Sequence, residues 1–354
     1  MIVETVSLRN IRSYARLELA LEPGIVLVTG PNGAGKTNLL EAVHLGTQGF
    51  SPRTRADAQV VRFGEQAGRI ALRGKRGESR VESELTLRIG EGKHAKLNGA
   101  ALSAAEQLRT ELAVLVFTPD RLAVAKGGPA VRRAYFDRVL GRLVPARVTL
   151  SAEYGAVVAQ RNAALRRIAA GYSSRDALAP WTQRVAELGA TLVEARTETI
   201  AVLAPGFAER AEELGLPSGR LVYEGAPPTV DQLEAQIERD LDRGTTGLGP
   251  HLDDVQLVSG ARDLRTFGSQ GEQRLTVLAL LLAEAELIAG RRGYAPLLLL
   301  DDVLSELDPD RRRALAQRVA TKGQTLITST TAAALPAEPA QLLEVSPGEV
   351  QPVR

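Results

Sequence analysis

Apolar residues follow two rhythms along this chain. Leu17, Leu19 and Leu21 alternate with Glu18 and Ala20, the two-residue period of a strand with one buried face. Residues 25–29 are instead a continuous apolar run, as expected of a strand buried on both faces. A glycine-rich stretch comes next, and then Leu39, Leu40 and Val43 recur at helical spacing. From 60 to 101 the pattern predicts strands joined by turns. Residues 84–89 lead into Gly90-Glu91-Gly92, and 94–97 lead into Asn98-Gly99, a pair that closes tight hairpins. Residues 114–117 read as another buried strand, closed by Thr118-Pro119.

The rhythm changes after Pro119. Residues 131–214 are rich in Ala, Arg, Glu and Leu and poor in strand formers. They predict several helices, broken near Pro145, at 171–174 and near Pro205-Gly206. Strand character returns at 220–223 and 255–259, a long helix is expected after Ser269, and 297–300 and 325–328 read as buried strands. The glycine-rich loop 244–250 is expected to be mobile. The division this suggests is a discontinuous α/β domain, 1–118 and 219–354, with a helical insertion at 119–218.

Composition narrows the chemistry. With 44% hydrophobic and 24% charged residues, the 354-residue chain is expected to pack as a globular protein. It has no cysteine, which excludes disulfides, thiolate metal sites and a cysteine nucleophile, and three histidines make a histidine-built metal site a poor expectation. The formal charge of +2 decides nothing about nucleic acid. The opening Met1-Ile2-Val3-Glu4 lacks a basic region before an apolar core, and the most apolar window, 275–288, is too short and too charged to span a bilayer. A cytoplasmic, nucleoid-associated location without a membrane partner is the expectation.

Three motifs carry candidate chemistry. Gly30-Pro31-Asn32-Gly33-Ala34-Gly35-Lys36-Thr37 matches G-x-x-x-x-G-K-[ST] at every fixed position. The glycines let the backbone curl so that successive N–H groups face phosphate oxygens, and the following helix adds its positive end. Lys36 is placed to reach the β- and γ-phosphates of ATP, and the Thr37 hydroxyl to ligate Mg2+. The second motif is the apolar run 297–300 ending in Asp301-Asp302. Beyond a core strand, paired acids can simply cap a helix. In a nucleotide site, Asp301 would hold the metal through water, and Asp302 would orient or deprotonate the attacking water. The third motif is Phe267-Gly268-Ser269-Gln270-Gly271-Glu272-Gln273, which opens a helix. Ser269 with Glu272 spells a capping box. A hydroxyl, the small Gly271 and free N–H groups at that helix start would also suit a γ-phosphate.

The order of these motifs is that of ABC-type ATPases, and the whole chain resembles the RecF family of recombination mediators, relatives of SMC-type ATPases. The resemblance includes Arg9-Asn10-Ile11-Arg12 with Tyr14, Ser51-Pro52-Arg53-Thr54, Pro119-Asp120, Gly127-Gly128-Pro129, Arg132-Arg133-Ala134-Tyr135-Phe136-Asp137, Gln160-Arg161-Asn162 and Gly249-Pro250-His251-Leu252-Asp253-Asp254. It implies an α/β ABC-type ATPase head, in which a mixed sheet carries the phosphate loop beside an antiparallel β subdomain, with a helical lobe in place of a long coiled coil. It also implies an ATP-driven head-to-tail homodimer on DNA, in which Ser269 and Gly271 of one copy close on the phosphate of the other. Partners RecO and RecR, loading of RecA at single-strand gaps, support of replication restart and the SOS response, and a weak DNA-dependent ATPase acting as a switch are implied as well.

The chain departs from the ABC pattern in three places. Gln270 occupies a glycine position of the signature, Asp302 stands where transporters carry Glu, and Thr328-Ser329-Thr330 stands where a switch histidine is expected. Gln48 is a loose candidate for a lid glutamine, and His251 lies too far upstream for the switch. Two arginine groups could track phosphates: Arg53, Arg55, Arg62, Arg69, Arg73, Lys75 and Arg76, and Arg132, Arg133, Arg138, Arg142 and Arg147. Either could equally be a solvated face. Aromatics are only 4% of residues, so base stacking is not expected to be the main contact. A transporter nucleotide-binding subunit and an ATP-gated clamp with negligible catalysis are the competing readings.

Overall fold

A computed structural model describes residues 1–54, 56–320 and 323–353. The chain divides into two compact units. The first comprises Met1–Arg121, Glu213–Gly215 and Leu280–Arg354, and the second Leu122–Glu212 and Leu216–Ala279. The second unit therefore takes in 219–279, which the sequence pattern had assigned to the α/β domain. The chain contacts of its strands explain this: Gly219–Tyr223, Val255–Ser259 and Arg262–Asp263 pair with one another in a separate three-stranded antiparallel sheet.

Two six-stranded sheets form the first unit. One is mixed. Its order is Glu349–Pro352, Gln341–Ser346, Gly24–Thr29, Gln324–Ser329, Leu297–Leu300 and Val114–Phe117, parallel except for the first pair. The four strands from Gly24–Thr29 to Val114–Phe117 are almost entirely buried, which is why they read as continuous apolar runs. The other sheet is antiparallel, in the order Tyr14–Ala20, Ile2–Ile11, Ala67–Arg76, Ser79–Arg88, Gly92–Leu97 and Ala100–Ala101. Its strands alternate buried and exposed positions, the mark of one solvated face. Asn98 and Gly99 both have positive φ, 50° and 82°, as a tight hairpin turn requires.

The helix Lys36–Gln48 packs against strands of both sheets. Its buried Leu39, Leu40 and Val43 join Val26, Val28 and Leu326 of the mixed sheet and Val6, Ile70 and Leu85 of the antiparallel sheet in one core. At Gly46 a Cβ would sit 2.7 Å from Ile70 Cγ2 and 2.8 Å from Leu72 Cδ1. Glycine there costs the helix roughly 1 kcal/mol, and in return the helix approaches the sheet closely.

The second unit is built on the helices Pro129–Leu143, Leu150–Ala169 and Ala179–Glu213, with Val230–Ala235 and Ile237–Arg243 beyond them. Breaks fall near Pro145 and at 171–174, as expected. The expected break at Pro205-Gly206 is absent, and Pro205 lies inside Ala179–Glu213. Proline costs a helix about 3 kcal/mol. Leu203, Phe207 and Ala211, all fully buried on either side of it, hold the helix through the lesion.

Buried arginines fix this unit internally. Arg161, wholly buried, donates to Asp240 Oδ2 at 2.6 Å and Thr246 Oγ1 at 2.9 Å. Arg132 forks onto Asp254, and Arg196 forks onto Asp137 while donating to Pro250 O at 2.7 Å. These contacts also correct the expectation for loop 244–250. The Thr246 N–H donates to Asn162 Oδ1 at 2.7 Å, the Gly247 N–H to Asp240 Oδ1 at 2.9 Å, and His251 Nε2 meets Thr246 O at 3.0 Å. A loop so tied is held, whatever its glycine content.

Removing one member of a buried ion pair strands the other charge, at a cost of about 3–5 kcal/mol. Arg161→Ala is expected to destabilise the second unit by that amount, and Arg161→Met/Asp240→Leu by much less. Urea unfolding followed by the single tryptophan, Trp181, which lies in this unit, checks both.

Candidate functional site

The phosphate-loop motif follows the strand Gly24–Thr29 and opens the helix Lys36–Gln48, the context the motif demands. Gly30 has φ 147°, and a Cβ there would lie 2.4 Å from Val345 O, so only glycine lets Gln341–Ser346 run alongside. Gly35 is the left-handed N-cap at φ 117°, and its carbonyl accepts from Tyr14 Oη at 3.0 Å. A Cβ at Gly35 would press within 2.9 Å of Ser13 Oγ. Lys36 Nζ donates to Gly30 O at 2.7 Å and Pro31 O at 3.0 Å, folding the side chain over the loop. Partial burial lowers its pKa, against the opposing pull of Asp302 and Asp301.

The parallel register brings the acidic motif to the same place. Gln324–Ser329 lies between Gly24–Thr29 and Leu297–Leu300, so the C-terminal ends of all three strands share one edge. There Asp301 Oδ1 accepts from Thr37 Oγ1 at 3.0 Å and from Thr328 Oγ1 at 2.7 Å. The Thr328 hydroxyl in turn accepts from the Asp302 N–H at 2.8 Å. Asp302 has φ 49°, a left-handed conformation that costs a non-glycine residue about 1–3 kcal/mol and persists only where surrounding contacts impose it. Burial raises the Asp301 pKa and Asp302 adds to the rise, while hydrogen bonds from Thr328 and Thr37 and the charge of Arg53 oppose it.

A second network braces the helix behind the loop. Glu41 is buried, and Arg12 forks onto it with Nε at 2.8 Å and Nη2 at 2.7 Å. Ser51 Oγ donates to the same carboxylate, and Arg53 Nη1 lies 3.3 Å from Glu41 Oε2 and from Asn38 Oδ1. Burial alone would raise the Glu41 pKa, but the hydrogen bonds from Arg12 and Ser51 and the charges of Arg12 and Arg53 hold it below the usual value. Sequence reading picked out Arg12 and Ser51-Pro52-Arg53-Thr54 but missed Glu41, their common partner. A lone acid in an apolar helix was the available signal.

The remaining sequence candidates fall elsewhere. Ser269 and Glu272 form the expected reciprocal cap of the helix Gln270–Arg292: the Glu272 N–H donates to Ser269 Oγ at 3.2 Å, and the Ser269 N–H to Glu272 Oε2 at 2.8 Å. Ser269 and Gly271 belong to the second unit, whereas Gly30 to Thr37, Asp301 and Asp302 belong to the first. Gln48 is buried and donates to Leu112 O at 2.9 Å, a packing role at the helix end. His251 is fixed between Tyr154 Oη at 2.8 Å and Thr246 O, and burial lowers its pKa.

Most of the two arginine groups are already engaged. Arg69 pairs with Glu84, Arg73 with Glu82, Lys75 with Glu4, Arg76 with Glu111 and Arg147 with Glu198. Arg62 and Arg133 donate to Ser13 O and Asp253 O, and Arg132 is buried on Asp254. Arg55 lies outside the described residues.

A phosphate loop and a strand-end acid pair on a mixed sheet, with an antiparallel sheet in the same unit and a helical unit inserted in the chain, define an ABC-type ATPase head. The RecF/RecN/SMC N-terminal domain model matches residues 2–349. The DNA replication and repair proteins RecF of Bacillus mycoides and Heliobacterium modesticaldum are each 35% identical over 349 residues, covering 93% of this chain and 92% of theirs. The chain therefore belongs to the RecF family of SMC-type ATPases. In fold it is similar to a solved structure of the recombination mediator RecF with ATP from the RecFOR pathway (TM-score 0.88, 24% identity, 100% of this chain and 98% of that one). It is also similar to an Smc head bound to the C-winged helix domain of ScpA (TM-score 0.63, 16% identity, 100% and 97%). Family membership decides against the transporter reading, and among the described residues no helix is long and apolar enough to cross a membrane.

The raised Asp301 pKa has a signed consequence. A carboxylate whose folded pKa exceeds its unfolded value contributes stability below the unfolded pKa and loses it as pH rises through the folded one. Asp301→Asn, which keeps an oxygen for both hydroxyls, is expected to raise the Tm of the nucleotide-free protein at pH 7. The gain should shrink as pH falls toward 4, the ordinary carboxylate range. Thermal unfolding across pH checks this; a variant less stable than the parent at pH 7 would contradict it.

Proposed function

We propose that this chain is an ATP-dependent DNA-binding protein of recombinational repair, a molecular switch with weak DNA-dependent ATPase activity. The observation that carries the reading is the convergence of Lys36, Thr37 and Asp301 with the strained backbone of Asp302 at one sheet edge. The residues present fit ATP with Mg2+. Gly30 leaves room for no side chain, Gly33 and Gly35 hold the loop in left-handed turns, and Thr37 and Asp301 already point at one another across 3.0 Å. Thr37 would hold the ion directly and Asp301 through water; bound there, the ion supplies charge neutralisation on the phosphates.

The chain's own groups do the rest. Loop N–H groups from Gly30 to Thr37 would bind and orient the phosphates. Lys36 would exchange the carbonyls of Gly30 and Pro31 for β- and γ-phosphate oxygens. Asp302 would accept a hydrogen bond from the attacking water and take its proton as the water oxygen bonds to the γ-phosphorus and the bond to the β–γ bridging oxygen breaks. Its carboxylate is one methylene shorter than the glutamate of transporter heads, so the water is held less well and turnover is slow. Ser269 and Gly271 would act in trans. With the N–H groups at the start of Gln270–Arg292 they offer a γ-phosphate site to a second copy, giving a head-to-tail dimer that closes on ATP and opens after hydrolysis. Family membership supports the wider role: DNA held independently of sequence, RecO and RecR as partners, promotion of RecA loading at single-strand gaps, and support of replication restart and the SOS response.

Turnover is expected well below the enzyme median of about 10 per second, even with DNA. Lys36→Arg should keep ATP binding, seen as a ligand-induced rise in Tm, while losing hydrolysis and staying dimeric on DNA. A steady-state rate near the median, or a Lys36→Arg protein that dissociates as fast as the parent, would contradict the switch.

A further inference from the structure

The outer face of the antiparallel sheet carries a row of charge that its strands do not balance. Register sets Arg9 on Ile2–Ile11 opposite Arg16 on one side and opposite Arg69 on the other. All three are exposed, and the row runs on through Thr86 to His94 without an acid. Elsewhere on this face bases meet acids: Arg73 faces and pairs with Glu82, and Lys96 faces Glu84. Lys75 does face Arg80, but Glu4 pairs with Lys75 at 3.1 Å. In the arginine row only Arg69 is relieved, diagonally, by Glu84 at 2.8 Å. Among the described residues Arg9 and Arg16 have no acidic partner. Like charges directly opposite on neighbouring strands repel, so the sheet carries a cost that a bound polyanion would remove.

Two further features adjoin the row. A groove of about 370 Å³ is lined by Arg9, Arg69, Thr86, Arg88, Ile89 and Glu91; its single acid, Glu91, pairs with Arg88 at 3.4 Å and leaves Arg9 without an acidic partner among the described residues. Beside Asn10, the turn 62–65 is fixed by four hydrogen bonds: Arg62 N–H to Asn10 O at 2.9 Å, Glu65 N–H to Arg62 O at 3.0 Å, Asn10 Nδ2 to Glu65 Oε2 at 3.1 Å and Arg62 Nη1 to Ser13 O at 2.7 Å. That turn holds Phe63 fully exposed, with a relative accessibility of 103%. An exposed aromatic ring on a fixed turn bonded to Asn10, the chain neighbour of Arg9, supplies with the arginine row the two components by which single strands are held, backbone electrostatics and base stacking.

We propose that the row Arg16, Arg9, Arg69 and the Phe63 turn form a track for single-stranded nucleic acid, with phosphates on the arginines and an unstacked base on Phe63. Adjacent strands are about 4.8 Å apart, so the row steps across about 10 Å, within reach of neighbouring phosphates for side chains this flexible. A duplex keeps its bases inside the stack and would leave Phe63 unused. This inference rests on the DNA-binding reading above and adds where the DNA lies and which form is held.

The test is fluorescence anisotropy of the full chain with ATP and Mg2+, using labelled oligo(dT) and a duplex of equal length, from low to moderate salt. Arg9→Ala/Arg16→Ala is expected to reduce the slope of log affinity against log salt on oligo(dT) by about 1.4, at about 0.7 per lost phosphate contact. Phe63→Ala should weaken oligo(dT) binding about tenfold with the slope and the duplex affinity unchanged. Both proteins should keep the parent's ATP-induced rise in Tm. An unchanged slope in the arginine variant, or equal losses on duplex and oligo(dT) in Phe63→Ala, would overturn the track while leaving the DNA-binding reading intact. A parent chain that binds neither oligonucleotide would overturn that reading itself.

Discussion

One carboxylate oxygen, Asp301 Oδ1, accepts hydroxyl hydrogen bonds from Thr37 and Thr328, so that three different segments of the chain meet at it. Each hydrogen bond depends on the parallel pairing of Gly24–Thr29, Gln324–Ser329 and Leu297–Leu300 in their observed register. A slip by one residue would turn every side chain at the strand ends to the opposite face. The site thus inherits its geometry from a core of buried Val, Leu and Ile side chains, and its chemistry begins where that core ends. Burial makes the ionised Asp301 costly, and the proposed role in holding a cation would be the function for which that stability is given up.

Around this point the fold layers its supports. Arg12, Ser51 and Arg53 gather on Glu41 and lock the turn at 11–14 and the loop at 51–54 to the helix that carries the phosphate loop. Tyr14 then fixes the Gly35 carbonyl at the start of that helix. None of these side chains reaches the loop interior in the contacts they make; they hold the helix and its first carbonyl in place. In the second unit the buried arginines Arg132, Arg161 and Arg196 do comparable work on Asp254, Asp240 and Asp137. Several segments that mark the family resemblance are therefore structural: Arg132, Asp137, Arg161 and Asn162 hold the unit together.

What could be read from the sequence was what is local. The phosphate loop, the buried strands at 114–117 and 297–300, the strand at 255–259 and the cap at Ser269 each follow from a period or motif within a few residues. What could not be read depends on partners distant in sequence. Pro205 sits inside a helix because buried neighbours outweigh its local cost. Thr328 stood out only as the residue where a switch histidine was missing, and its contact with Asp301 needed the sheet register. Glu41 gave one weak signal, an acid on an apolar helix. Arg9 was legible only within the segment that marks the family resemblance and Arg16 not at all, because only antiparallel pairing sets the two face to face.

The nucleotide site is proposed to be half a site, completed by Ser269 and Gly271 of a second copy. Molecular mass in solution, measured by light scattering with and without ATP, Mg2+ and DNA, tests it most directly. The expected protein mass is 37.8 kDa without nucleotide and, once the DNA's own mass is subtracted, twice that with ATP and DNA, with Ser269→Arg remaining at the single mass. A chain that stays at the single mass under every condition while still binding ATP would contradict it.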